Sequence, residues 1–357
     1  MTAARNREVL DELYAPTSEG LRYLAFPSHE RPVLLVPEKL AKKSRWPRLL
    51  TLLGGPQRAS LLFRSTSLRL SSEAVSELVE RCRVPGATSN TFRFGNQEPL
   101  SRVVMQFTDP HGRLVGYAKL AVGHLSERAL QNEAQTLKGL REIPEMQHQV
   151  PTLIGANRWN GHYIISTKPM AGRAGPRQLL SEHGEYVSQL MLASRSSATA
   201  EEVIPVHRSE DRAPDEGPGV AISRVRAGII ERLGTNQIPV GRAHGDFTHW
   251  NSVKTPNGLA FLDWEASIPD AAPGHDLFHF LFMERLGSLP KPTDIARNPV
   301  IRAHIKTVWP EGLGLVPDLY GIYLVRRLVT LARIRAEVGP GEGRLWEAVC
   351  EAVEKFP

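Results

Sequence analysis

Apolar residues recur at two spacings along this chain, and the spacing changes from one half to the other. SRVVMQFTD at 101–109 and RLVGYAKLAV at 113–122 alternate apolar with polar positions, and Pro110 and Gly112 between them supply a reversal. This predicts a β-hairpin with Lys119 inside its second strand. In SERALQNEAQTLKGL the residues Leu130, Ala134, Leu137 and Leu140 then fall at helical intervals, with Ser126 placed to cap the N-terminus and Glu133 on the helix. HYIIST at 162–167 predicts a further strand, left through the turn KPMAG. Upstream, RPVLLVP at 31–37 predicts a strand, and EKLAKKSRWPRLLTLLGG at 38–55 a helix that Pro47 interrupts, with its cations forming a solvated face.

From about residue 176 the pattern is mainly helical. The exception is 201–219, where charge, Pro and Gly crowd out large apolar residues and predict a mobile surface loop. VAISRVRAGIIERLG at 220–234 predicts a helix and LAFLDW at 259–264 a short strand. Two C-terminal helices follow at 319–338 and 344–356, separated by GPGEG. Strands first and helices afterwards, with no internal repeat, make an α+β chain.

Composition narrows this picture little. At 357 residues with 41% apolar content the chain is globular, long enough for two or three units. A net charge of +6 and a pI of 9.4 suit an anionic partner such as a nucleotide. No dense basic and aromatic array marks a nucleic-acid surface, so no nucleic-acid partner is expected. Two cysteines, Cys82 and Cys350, form no CxxC pair; a reducing compartment without structural zinc is expected. The charged start MTAARNREVLDELYAP is unlike a secretory leader, and no run of eighteen apolar residues occurs anywhere. The expectation is a cytoplasmic protein with no transmembrane segment; its oligomeric state stays open.

Chemistry concentrates at HGDFTHWN, residues 244–251, and FLDWE, residues 261–265. Phosphoryl transfer asks a protein for a divalent cation to neutralise phosphate oxygens, a Lys to hold them and a carboxylate to orient the attacking hydroxyl. Each type is present. Asp246 is the candidate carboxylate; Asn251, five residues later, and Asp263, on the strand that follows, offer hard oxygens to Mg²⁺. Lys119 and Glu133, on strand and helix in that order, have the types and spacing of a lysine–glutamate pair that grips nucleotide phosphates. His244 is expected to brace the loop by hydrogen bonds, Trp250 to pack, and His249 to be a possible contact to substrate.

HGDFTHWN with LDWE, and YAKL with NEAQTL upstream, resemble the aminoglycoside phosphotransferase and choline kinase group of small-molecule kinases over roughly residues 85–340. The resemblance implies a bilobal protein-kinase-like fold, with an antiparallel-sheet lobe at 81–170 and a mainly helical lobe at 171–357; residues 1–80 match no motif, and apolar runs such as LLTLLGG and ASLLF predict that they form an extension packed on the small lobe. It implies ATP and Mg²⁺ as cofactors, bound at a cleft between lobes, with the adenine against the connector at Thr167 to Met170. It also implies a structural role for Asp276 in GHDLFHF. Two stretches compete for the phosphate loop, PGATSN at 85–90 and FGNQEPLSR at 94–102, and the second is preferred because it directly precedes the hairpin of Lys119. Gly245 stands where protein kinases carry Arg, which removes the usual contact to a phosphorylated activation segment. The expected activity is transfer of the γ-phosphate of ATP to a hydroxyl of a small metabolite. From Ala266 to Pro357 acidic and basic residues balance at eleven each, which does not favour a polycationic antibiotic. The alternative is a catalytically inactive protein of the same fold that binds nucleotide or a partner.

Overall fold

The computed structural model describes residues 21–25, 34–37, 72–87, 89–94, 102–109, 111, 113–205, 218–338 and 343–357. The chain divides into two compact units, one reaching to residue 135 and including 151–169, the other comprising 136–150 and 170–357.

The first unit is built on a seven-stranded sheet with strand order β2-β1-β3-β4-β5-β7-β6 and every pair antiparallel. Its strands are β1 (Leu21–Ala25), β2 (Leu34–Pro37), β3 (Ser89–Phe94), β4 (Arg102–Thr108), β5 (Leu114–Ala121), β6 (Leu153–Trp159) and β7 (His162–Thr167). The strand expected at 31–37 is β2; the helix expected at 38–55 lies outside the described residues, as does most of the 1–80 extension. The β4–β5 hairpin is closed by Asp109, whose Oδ1 accepts the N–H groups of His111 and Arg113 at 2.9 and 2.8 Å; Pro110 and Gly112 lie outside the described residues.

Alternation along the hairpin sorts its side chains between two faces. Val103, Met105 and Phe107 of β4 and Ala118 and Leu120 of β5 join Leu78 and Cys82 of helix α1 (Ser72–Cys82) in one buried cluster. Lys119, between Ala118 and Leu120, therefore points to the opposite face. There Ala121 and Ile165 meet Leu130 and Ala134 of helix α2 (His124–Arg141), the buried stripe that the helical spacing predicts. Ser126 does not cap this helix. The helix begins two residues earlier, and the buried Ser126 hydroxyl accepts the N–H groups of Val122 and Gly123, both at 3.0 Å, fastening the end of β5 to the helix start.

The second unit is mainly helical: α3 (Ser181–Ala193), α4 (Ala200–Val203), α5 (Pro218–Leu233), α6 (His275–Glu284), α7 (Pro292–Arg297), α8 (Pro299–Val308), α9 (Val316–Val338) and α10 (Gly343–Glu354). α9 packs against α5, α6, α7 and α10, and its buried Leu319, Tyr320, Tyr323, Leu324 and Leu328 form the stripe that the 3.6-residue period requires. The loop expected at 201–219 begins with ordered structure, because Ala200, Val203 and Ile204 are buried and Glu202 caps α4 through Thr199; residues 206–217 lie outside the described residues. Among the described residues no helix is long and apolar enough to cross a membrane.

Candidate active site

Lys119 and Glu133 are brought together within the first unit. Lys119 Nζ lies 2.8 Å from Oε1 and 2.6 Å from Oε2 of Glu133, so both carboxylate oxygens grip one ammonium. Glu133 is buried at 2% exposure and would be costly to hold there without that charge. Thr167, the other expected nucleotide contact of this unit, closes β7, where it pairs with Tyr117 and Leu153. Met170 is the first residue of the second unit after Pro169.

The catalytic-loop candidates sit in the second unit, on a base of short sheets. β10 (Ile238–Ala243) pairs with β13 (Ile268–Ala271) and with β9 (Ser196–Ala198), and it runs directly into His244, Gly245 and Asp246. After the loop, β11 (Ser252–Thr255) and β12 (Gly258–Phe261) form a hairpin, with β8 (Arg173–Ala174) on the outer edge of β11. Phe247 stacks on Phe261 at 4.1 Å between ring centroids, Phe280 and His183 complete the apolar floor, and His244 lies against Trp264. Gly245 makes the turn possible. Its φ is +81°, and a Cβ there would come within 2.0 Å of the Ala266 carbonyl oxygen.

One face of α6 holds this turn. Asp276, fully buried, accepts the backbone N–H of His244 at 2.7 Å and of Gly245 at 3.0 Å. Burial pushes the Asp276 carboxyl up, and the nearby His244 and those two N–H groups oppose it. One helical turn on, His279 Nε2 lies 3.1 Å from Asp246 Oδ1, and His279 Nδ1 lies 3.1 Å from the Tyr323 hydroxyl of α9. The tautomer that satisfies both contacts has Tyr323 donating to Nδ1 and Nε2–H donating to Asp246. Burial holds the His279 ring below its usual range, so this neutral form prevails at neutral pH.

Asp246 is therefore held from two sides. His279 reaches Oδ1, and Asn251 Nδ2 donates to Oδ2 at 2.8 Å and to the Asp246 carbonyl at 3.0 Å. Burial works to raise the Asp246 carboxyl, yet the hydrogen bond from His279, with the positive charge of Arg327, leaves it well below the usual carboxylate range. The side chain of Asp246 keeps 35% exposure while His279 has none, so the carboxylate presents an open edge and the imidazole stays behind it.

Asp263 is not on the strand. β12 ends at Phe261, and Asp263 adopts a left-handed conformation (φ +66°, ψ +63°) that ends the ladder and opens a 3₁₀ turn at Trp264–Ala266. Leu262, just before it, donates its N–H to the Asn251 carbonyl at 2.8 Å and accepts from His244 Nε2 at 2.8 Å. The bend thus places Asp263 next to the loop that carries Asp246 and Asn251. A carboxylate oxygen of Asp263 and one of Glu265 lie within 4.8 Å of each other. The Asn251 amide nitrogen is committed to Asp246, which leaves its oxygen as the atom that could serve as a ligand. A hard-oxygen set of this kind fits Mg²⁺.

His279, Tyr323 and Glu265 were not singled out in the sequence. A signal existed for His279, since the His three residues after Asp276 in GHDLFHF must share its helical face. Trp250, expected to pack, is instead 53% exposed, edge-on to His249.

No family model matches the sequence, and no curated protein is significantly similar to it. Solved structures do match it in fold. An amicoumacin kinase in complex with AMP-PNP, Ca²⁺ and Ami superposes with a TM-score of 0.52 at 14% identity, covering 79% of this chain and 92% of that one. The aminoglycoside phosphotransferase APH(2")-IIia, in complex with GDP and kanamycin, gives a TM-score of 0.50 at 11% identity over 80% and 98% of the two chains.

Proposed function

Starting from a chain with the fold of the aminoglycoside phosphotransferases and of an amicoumacin kinase, we propose that this protein transfers the γ-phosphate of ATP to a hydroxyl group of a small molecule. The observation that carries the reading is the Asp246 carboxylate, kept ionised by His279 and Asn251 and open on its remaining edge. A carboxylate so arranged accepts a hydrogen bond from an acceptor hydroxyl, fixes its oxygen for attack and takes its proton as the bond to phosphorus forms. Its depressed basicity suits positioning more than early proton abstraction, as expected where phosphoryl transfer leaves little covalent work to the protein.

In this reading Lys119, oriented by Glu133, holds the nucleotide's phosphate oxygens, and Thr167 and Met170 flank the base. Of the stretch 94–102 preferred as the phosphate loop, Phe94 ends β3 and Arg102 begins β4, while 95–101 lie outside the described residues. Asn251 and Asp263, with Glu265 beside them, would hold Mg²⁺, which when bound neutralises the phosphate charge. An inactive binder would have little use for a carboxylate held ionised and open in this way. The protein is proposed to work in the cytoplasm on a small hydroxylated metabolite.

The test is Asp246→Asn, which preserves shape and cannot act as base. It should bind Mg-ATP within a few-fold of the parent and phosphorylate acceptor at least about 100-fold more slowly. Acceptors come from a screen of hydroxylated metabolites followed by mass spectrometry for added phosphate. Parental turnover by Asp246→Asn would refute the mechanism.

A further inference from the structure

Arg326 and Arg327 stand side by side on α9 and have opposite fates. Arg326 is committed, donating to the Asp270 carbonyl and to Asp270 Oδ1, both at 3.0 Å. Arg327 is only half-buried, yet its Nε is fully enclosed and meets no hydrogen-bond partner among the described residues. Enclosing a guanidinium N–H without a partner is unfavourable by the desolvation of a charged group. Such a group is completed by water or by a bound acceptor.

Its position says what that could be. Arg327 lies four residues after Tyr323, hence on the same face of α9 one turn along. Tyr323 touches His279, and His279 touches Asp246. The positive charge of Arg327 accordingly reaches Asp246, His279, His275 and Tyr323. The Asp246 oxygens are already engaged by His279 and Asn251, and no direct ion pair joins Asp246 to Arg327. On the acidic side, Asp270 and Asp318 are bound to Arg326 and Arg232. The neighbourhood of the Asp246 carboxylate thus offers a cation whose enclosed Nε has no acceptor among the described residues, while Asp270 and Asp318 are committed elsewhere.

We propose that Arg327 anchors the acceptor through an anionic group, a carboxylate or a phosphate, carried by the same small molecule whose hydroxyl Asp246 orients. The substrate class is then a hydroxylated anion, and a polyamine acceptor is repelled. A planar guanidinium binds either oxyanion through paired N–H donors, and the anchor fixes the distance from the anionic group to the reacting hydroxyl. This inference rests on the kinase reading for the identity of the acceptor site, but not for the anion site itself.

The experiment uses four probes that share a hydroxylated three-carbon frame: glycerol, glycerate, glycerol 3-phosphate and serinol, titrated calorimetrically into the full chain with AMP-PNP and Mg²⁺. Glycerate or glycerol 3-phosphate should bind at least about tenfold more tightly than glycerol, with serinol weakest, the range of a charge-assisted hydrogen bond. Which of the two anions wins separates carboxylate from phosphate recognition. Arg327→Gln should abolish that preference and Arg327→Lys should retain part of it, with melting curves confirming that each variant is folded. Should Arg327→Gln fail to fold, Arg327→Lys carries the test, because a point charge without the fork must still weaken the preference. Equal binding of all four probes, tightest binding of serinol, or a preference unchanged in both variants would overturn the proposal. Phosphate transfer from ATP is measured separately on the same probes. A chain that binds an anion through Arg327 and transfers no phosphate to any hydroxyl compound would sink the kinase reading and leave the anion site standing.

Discussion

Replacing His279 by Ala removes one donor from a carboxylate and nothing that touches the acceptor, which makes it a sharp probe of how Asp246 is prepared. Two contacts are lost, Nε2–H to Asp246 Oδ1 and the acceptor for the Tyr323 hydroxyl, each 3.1 Å long. A hydrogen bond to an ionised group contributes about 1.5–3 kcal/mol. If the acceptor's approach depends on that fixed carboxylate, turnover should fall by about 10–150-fold, while the KM for Mg-ATP changes little. The pH profile separates positioning from loss of structure. In the parent, the His279 bond and neighbouring positive charge override burial and hold Asp246 below its ordinary value, so the carboxylate is ionised throughout an ordinary assay range. Without His279, the upward pull of burial loses its main opponent, so the acid limb of the kcat/KM profile should move to higher pH. The same sign governs stability. A depressed carboxyl adds stability above its unfolded value and loses it as pH falls through the folded value, so the parent's advantage over the variant should shrink on acidification. His279→Gln offers an amide N–H toward Asp246 and an oxygen toward Tyr323 and should recover part of the rate. Parental turnover and an unmoved acid limb in His279→Ala would refute the assignment.

Two further outcomes bear on the other ends of the site. Lys119→Ala should weaken Mg-ATP binding at least about tenfold by titration calorimetry, as expected for a lost charge-assisted contact, and it should also lower the melting temperature, because Glu133 is left buried without its cation; unchanged affinity would remove Lys119 from the nucleotide site. Gly245→Ala should destabilise the chain by about 2–5 kcal/mol in urea unfolding, from left-handed strain together with a Cβ 2.0 Å from the Ala266 oxygen, whereas Gly139→Ala, on α2 with nothing within 4 Å, should stabilise it by about 0.5–1 kcal/mol; equal effects at the two glycines would refute the turn argument.

The β4–β5 hairpin and helix α2 were legible in the sequence because their information is local: alternation, a turn and a 3.6-residue stripe lie within one segment each. The pairing of Lys119 with Glu133 follows from them, since adjacent strand and helix leave few ways for a mid-strand Lys to face a mid-helix Glu. β3 was not legible and β6 was overlooked. SNTFRF mixes Ser, Asn and Arg into a short run and owes its extended state to pairing with the distant β1 as well as with β4, whereas LIGANRW carried a local signal, since Asn160-Gly161 turns it directly into β7. Ser126 was misplaced because a cap residue and a hydroxyl that fastens a strand to a helix carry the same local signature.

The same distinction runs through the candidate site. HGD, Asn251 and Asp263 identify which groups are present, because that chemistry is written within twenty residues. How those groups behave is decided elsewhere. Asp263 looked like a strand residue, since apolar neighbours on both sides hide the left-handed bend that takes it out of the ladder. Asp246 looked like a base; its state is set by His279, 33 residues away, and by Tyr323 behind it, through contacts whose partners are remote in sequence. Electrostatics is long-ranged and depends on burial, so a carboxylate's identity can be read from a motif while its affinity for a proton cannot. α6 joins the two levels. A helix that spaces Asp276 and His279 three residues apart presents both to one turn of backbone, so the residue that shapes the turn and the residue that tunes its carboxylate must move together. Any change that rotates α6 should therefore disturb the geometry of Gly245 and the ionisation of Asp246 at once.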